Sequence, residues 1–280
     1  MAATNLPQQR VRRGRTLVPT VAILITLLYV VPLLWMVLTA FKTPNQAFTQ
    51  TPTWIFIPTL QNFGKVLAGG VFSGYLLNSL FVASVSTLGA LALGSGIAYP
   101  LARVRVPGKR QLAMWILSLR IIPPIVVVVP LFLMLSGVGL QGTMWSLVLL
   151  YTYMNLPLTV WLLRGFFAEM PVEIEEAARV DGASGLRVFV QITIPLTMPG
   201  IVATGLLAFI FAWNEFLFAN ILSGAFNQTA PIGLTEYVTP VGVRWTEIMA
   251  AGAIVVIPVW VAALSVQRYL VRGLSMGAVK

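Results

Sequence analysis

The sequence predicts an all-α membrane protein of six transmembrane helices. Six long apolar runs, a scarcity of charge and a one-sided distribution of Lys and Arg carry that prediction. Of 280 residues, 58% are hydrophobic and 9% charged, with a mean hydropathy of +0.88. A soluble domain of this size needs far more charge to cover its surface. A membrane span needs ~20 mostly apolar residues, and the runs 17–41, 75–102, 112–137, 144–163, 198–222 and 248–270 qualify.

The first run follows Arg10, Arg12, Arg13 and Arg15 and so mimics a signal peptide. Its apolar core is too long for one, and no small-residue cleavage site closes it, so it reads as a span. Small residues in the second run (Gly89, Ala90, Ala92, Gly94, Gly96, Ala98) let helix backbones approach closely. Prolines inside the runs, at positions 32, 123, 124, 130, 157 and 258, suit a packed bundle in which neighbouring helices satisfy the freed carbonyls.

The basic residues set the orientation. Arg10, Arg12, Arg13, Arg15, Arg103, Arg105, Lys109, Arg110, Arg164, Arg179, Arg187, Arg268, Arg272 and Lys280 fall on one side of a six-span threading. Lys42, Lys65 and Arg244 fall on the other, and Arg120 lies within the third span. This excess places both termini in the cytoplasm. It also accounts for the net charge of +10 as a membrane-orienting signal rather than a nucleic-acid footprint. The organisation expected is a tail over 1–16, a six-span domain over 17–272 and a tail over 273–280.

Chemistry is sparse. The chain has neither Cys nor His, which excludes thiol nucleophiles, disulfides, Cys/His zinc sites and Ser-His relays. No Gly-x-x-x-x-Gly-Lys-Ser/Thr loop is present, so ATP is not bound here. Arg120 and Glu215 fall inside apolar runs, where an ionisable group costs ~2.5–3.5 kcal/mol and faces a bundle or cavity. They read either as a structural ion pair, coupled to one another, or as a polar path with Tyr153, Asn155 and Asn214 for a polyhydroxyl substrate. Arg120 and Glu215, with neither His nor Cys beside them, make a membrane-embedded enzyme a poor reading.

The loop over 165–192 is the most informative stretch. Pro171 suits the first helical position, and Glu173, Glu175 and Glu176 favour a helix N-terminus. Gly182 suits the left-handed conformation that ends a helix. A short amphipathic helix carrying Ala177 and Ala178 follows. It is either an ordinary interfacial helix or one whose small side chains seat in a partner's groove.

Glu176-Ala177-Ala178, then Gly182, then Ile192-Thr193-Ile194-Pro195 resembles the EAA motif of permease subunits of bacterial ATP-binding-cassette importers. That motif runs Glu-Ala-Ala, three residues, Gly, nine residues, Ile-x-Leu-Pro; Ile194 replaces its Leu. The string from Glu175 to Ser184 is similar to the MalG-like branch, which handles sugars and polyols. Pro32, Trp35, Asn78-Ser79, Trp213-Asn214-Glu215-Phe216 and the segment from Gly273 to Lys280 extend the resemblance along the chain.

The resemblance implies a type I importer (MetI-like) permease fold in the bacterial inner membrane. It implies a coupling helix, with Glu176, Ala177, Ala178, Asp181 and Gly182, that docks on a cytoplasmic ATPase. The implied partners are a MalF-like second permease, two ATP-binding subunits that hold ATP and Mg, and an extracytoplasmic solute-binding protein. The implied cargo is a sugar or polyol. An ion-gradient-driven secondary transporter is the alternative, but the two halves show no internal repeat and the EAA-like loop has no role there.

Overall fold

The computed structural model describes residues 9–49, 51–104 and 107–276, with side chains over 19–49, 51–104 and 107–267. The side chains of Arg10, Arg12, Arg13, Arg15, Arg105, Arg268, Arg272 and Lys280 lie outside the described residues, as do residues 1–8 and 277–280 of the two expected tails.

The described chain is almost wholly helical because apolar sequence in lipid must satisfy its backbone internally. The principal helices are α1 (Gln9–Ala40), α2 (Val71–Arg103), α3 (Lys109–Ser118), α4 (Pro124–Gly137) and α5 (Met144–Glu169). They continue with α6 (Val172–Val180), α7 (Met198–Trp213), α8 (Leu217–Leu222) and α9 (Trp245–Met276). Among the described residues, Pro19–Ala40, Gln61–Arg103, Met144–Glu169 and Trp245–Gln267 are long and apolar enough to cross a membrane. Two bent pairs raise the total to six if each is one span.

Both pairs turn sharply at their breaks. The third run breaks where Pro123 and Pro124 interrupt it, so Lys109–Ile121 meets Pro124–Gly137 at 90°. Pro124 cannot donate to the preceding turn and instead starts a new helix. Gly185–Leu196 likewise meets Met198–Trp213 at 76°, and the fifth run is interrupted again between Trp213 and Leu217. The loop over 165–192 also starts later than expected, because α5 remains helical to Glu169.

Two compact units divide the chain: Met1–Ala68 with Tyr237–Ile254, and Gly69–Glu236 with Val255–Lys280. In the first, α1 ends at a built corner. The Asn62 amide donates to the carbonyls of Ala40 (2.7 Å) and Lys42 (2.8 Å), satisfying acceptors that a helix end leaves open. Lys42 is only 2% exposed. Its ammonium sits 4.3 Å from the Trp35 ring centre and 5.2 Å from that of Phe56, so two aromatic faces replace water around the charge. A two-stranded hairpin pairs β1 (Val238–Thr239) with β2 (Gly242–Val243), Val238 opposite Val243.

The second unit is organised by α2 against α5. Ala98 and Leu101 of α2 pack with Val160, Leu163 and Phe167 of α5 in one apolar cluster. Val82 and Ala83 join Leu147, Val148 and Leu150 of α5, Trp213 and Phe218 in another. The small-residue stripe is what brings the two backbones together. A Cβ added at Gly94 would lie 2.6 Å from the Thr159 methyl and 3.1 Å from its Cβ.

Gly94→Ala is therefore expected to destabilise the protein by about 1–3 kcal/mol through overpacking against a stiff β-branched side chain. Gly96, on the same helix, has open space where its Cβ would stand, and Gly96→Ala should not lower the melting temperature. Thermal unfolding of the purified protein in detergent compares the two.

Candidate functional site

Two polar assemblies stand out in the second unit. The first surrounds α6. This helix starts after Pro171, which is its N-cap rather than its first helical residue. Glu173 and Glu175 occupy its first turn, where the helix dipole favours negative charge. The helix ends in a Schellman arrangement: Ala183 N–H donates to the Ala178 carbonyl (2.9 Å) and Gly182 N–H to that of Arg179 (3.1 Å). Gly182 has φ +85°, the left-handed value expected of it, while Asp181 is the C-cap.

The three glutamates are not equivalent. Glu173 and Glu176 are exposed, and so is Ala177, while Ala178 is half-buried. Glu173, Ala177 and Val180 share a face at i, i+4 and i+7, which leaves a smooth outward surface of small and apolar groups edged by carboxylates.

Glu175 points the other way, with its side chain 1% exposed. It accepts from Arg103 Nε at 3.1 Å, Thr193 Oγ1 at 3.0 Å, Tyr99 Oη at 3.2 Å and Arg179 Nη2 at 3.3 Å. Sequence reasoning missed this inward role, because three glutamates in four residues look alike until the partner on α2 is known. Breaking such a buried pair by removing one member costs about 3–5 kcal/mol.

The second assembly lines a cavity of about 300 Å³ between the α3–α4 bend, the middle of α5, and the α7–α8 break. Arg120, Tyr151, Tyr153, Asn155 and Glu215 all line it. Asn214 does not line it; its amide donates back to the Ile210 carbonyl of α7 at 2.8 Å.

The expected ion pair between Arg120 and Glu215 is not formed. Glu215 lies in the break after α7 and takes donors locally: Phe218 N–H at 3.0 Å, Ala219 N–H at 3.1 Å and Tyr151 Oη at 2.7 Å. It caps the start of α8, whose first N–H groups have no helical partner. Arg120 stacks its guanidinium 4.3 Å from the Phe211 ring centre instead, and no carboxylate lies within 4 Å of it among the described residues. Its N–H donors thus border the cavity, while the Glu215 oxygens are already occupied.

The sequence has relatives over nearly its whole length. A family model described as "Binding-protein-dependent transport system inner membrane component" matches residues 90–276. A probable ABC transporter permease protein, y4oR of Sinorhizobium fredii, is 39% identical over 252 residues, 90% of this chain and 91% of that protein. The trehalose/maltose transport system permease protein MalG of Thermococcus litoralis is 34% identical over 263 residues, 92% of this chain and 94% of that protein. In fold, the chain is similar to a chain of a bacterial ABC transporter involved in the import of the acidic polysaccharide alginate. The TM-score is 0.76 at 21% identity, covering 95% of this chain and 99% of that one.

Glu215→Ala should cost about 1–3 kcal/mol, since it leaves the α8 N–H groups and the Tyr151 hydroxyl without their acceptor. Arg120→Met should cost less. With no ion pair between them, the double variant should be additive to within about 0.5 kcal/mol. A thermal double-mutant cycle in detergent reads this directly; strong rescue of one loss by the other would contradict it.

Proposed function

Because the chain belongs to the binding-protein-dependent transport system inner membrane components, a family of transporter permeases rather than enzymes, we propose that it forms half of the translocation pathway of an ABC importer for a sugar or polyol. The observation that carries this reading is α6: a capped helix fixed on its inner face by Glu175 and presenting Glu176 and Ala177 outward. Such a surface fits the cleft of a separate cytoplasmic ATPase. Glu176, Ala177, Ala178, Asp181 and Gly182 form this coupling element. ATP and Mg belong to two ATPase subunits, so hydrolysis reaches the permease through contact alone.

A second, MalF-like permease completes the path. The apolar faces of α1 and α4 are exposed in the isolated chain, with Leu28, Tyr29, Leu133 and Met134 each more than half exposed, and require lipid or that partner. An extracytoplasmic binding protein delivers the cargo. The cavity around Arg120, Tyr153, Asn155 and Glu215 offers N–H, hydroxyl and amide groups to a polyhydroxyl solute among apolar walls. The trehalose/maltose relative supports the sugar class. The ion-gradient alternative falls with the family assignment.

In the inner membrane the chain crosses six times, each bent pair counting as one span, with both termini cytoplasmic and the tails over 1–16 and 273–280 flanking the spanning domain. The charge asymmetry then fixes which loops face out. Cysteines introduced at Thr51 and Ser136 should react with an impermeant thiol reagent in intact cells, and one at Ser184 should not. All three positions are exposed, and the chain has no native cysteine to interfere. The reverse labelling pattern would discard the topology.

Ala177→Arg forces a long charged group into the docking face. Gly182→Val penalises a left-handed backbone by roughly 1–2 kcal/mol and redirects the chain after α6. Neither alters a spanning helix, so membrane levels should hold while co-purified ATPase and solute uptake fall together. Normal ATPase retention and uptake in both variants would sink the coupling role of α6.

A further inference from the structure

The contacts on the inner face of α6 are more numerous than docking requires. Four groups converge on Glu175, and only Arg179 comes from α6 itself. Tyr99 and Arg103 come from the last turns of α2, and Thr193 from the π-helical stretch Phe189–Thr193. Arg103 is shared: its Nη2 also donates to the Met170 carbonyl at the end of α5, 2.6 Å away. The rings of Tyr99, Phe167 and Phe189 meet edge-on or tilted, 4.7–6.2 Å between centres, and Tyr99 links them to the cluster through its hydroxyl.

α6 is joined to the rest of the chain by two turns. One link is the Met170–Pro171 corner and the other is the Asp181–Ser184 turn. A wider π turn, closed by the Ile194 N–H to the Phe189 carbonyl, lies beyond the second link. π turns inside α-helices are frequent at functional sites, and this turn carries Thr193, whose hydroxyl donates to Glu175.

We propose that Glu175 is a positioning residue that joins α6 to the C-terminal end of α2 as one rigid lever. This rests on α6 being the ATPase-docking helix. Push or pull on α6 reaches the spanning helices through the Glu175–Arg103 joint rather than through the flanking turns. Because α2 packs along α5, the joint delivers that motion to the pair of helices at the centre of the unit.

The test uses the assembled transporter with partner subunits made cysteine-free. Spin labels go at Val172, at the start of α6, and at Leu93, about 15 Å along α2 from Arg103 by helix rise; both side chains are exposed. With Glu175 native, the inter-label distance should be single and agree within about 2 Å between nucleotide-free and ATP-trapped states. A larger change overturns the lever, and this arm needs no Glu175 variant to fold. Glu175→Gln should lower the amount of folded complex; in the complex that remains it should broaden the distribution and cut uptake per ATP hydrolysed about tenfold, with the ratio of co-purified ATPase to permease unchanged. Glu175→Asp should recover part of that loss. Native uptake per ATP in Glu175→Gln overturns the proposal. Loss of the ATPase from the folded Glu175→Gln permease, measured as the ratio of the two proteins, also overturns it and leaves the docking reading intact. If the ATPase fails to co-purify even with Glu175 native, the docking reading falls and takes the lever with it.

Discussion

The closeness of α2 and α5 is the constraint on which the larger unit depends. Lipid tails are as apolar as leucine, so helices in a membrane gain little by hiding apolar surface from water; they associate through close packing and hydrogen bonds. Gly94 gives up a side chain so that Thr159 can sit against the backbone of α2. The two apolar clusters line the resulting seam, one around Phe167 and the other around Trp213. Both polar assemblies lie along the same pair: Arg103 and Tyr99 end α2, and Tyr151 and Asn155 project from α5. A shift in that seam would move the α2 and α5 members of both assemblies.

The two acidic residues inside the unit solve the same problem differently. A buried carboxylate must be surrounded by donors, or it would be protonated or expelled. Glu175 collects donors from distant segments and so ties them together. Glu215 takes two of its donors from its own chain three and four residues on, and the third from Tyr151. The first arrangement is architectural and long-range. The second repairs a local break.

Much of the fold was legible in the sequence because lipid imposes a simple length rule. The long helices α1, α2, α5 and α9 correspond to four of the six apolar runs. The other two runs bend, and hydropathy averaged along the chain does not register direction. The Pro123-Pro124 pair marked one bend openly and Pro195 and Pro199 flank the other, whereas the break at Asn214-Glu215-Phe216 carries no proline or glycine. Gly182 and the outward Ala177 were readable from helix-ending and amphipathic logic. The inward turn of Glu175 was not, since Arg103 lies 72 residues away. The Arg120–Glu215 pairing failed for a related reason: opposite charges in one membrane invite pairing, but an adjacent aromatic face and a set of free N–H groups satisfied each of them closer to home.

The interruptions in the third and fifth runs have a mechanical consequence. An unbroken helix is stiff along its length, so compliance gathers where the hydrogen-bond ladder stops. Here the ladder stops at Ile122–Pro123 and at Asn214–Phe216, where Glu215 ties the second break to α5 through Tyr151, while α2 and α5 stay helical across Pro100 and Pro157. The cavity takes walls from both breaks and from α5 between them. A change at either break therefore reshapes the cavity without touching the Gly94–Thr159 contact that holds the seam.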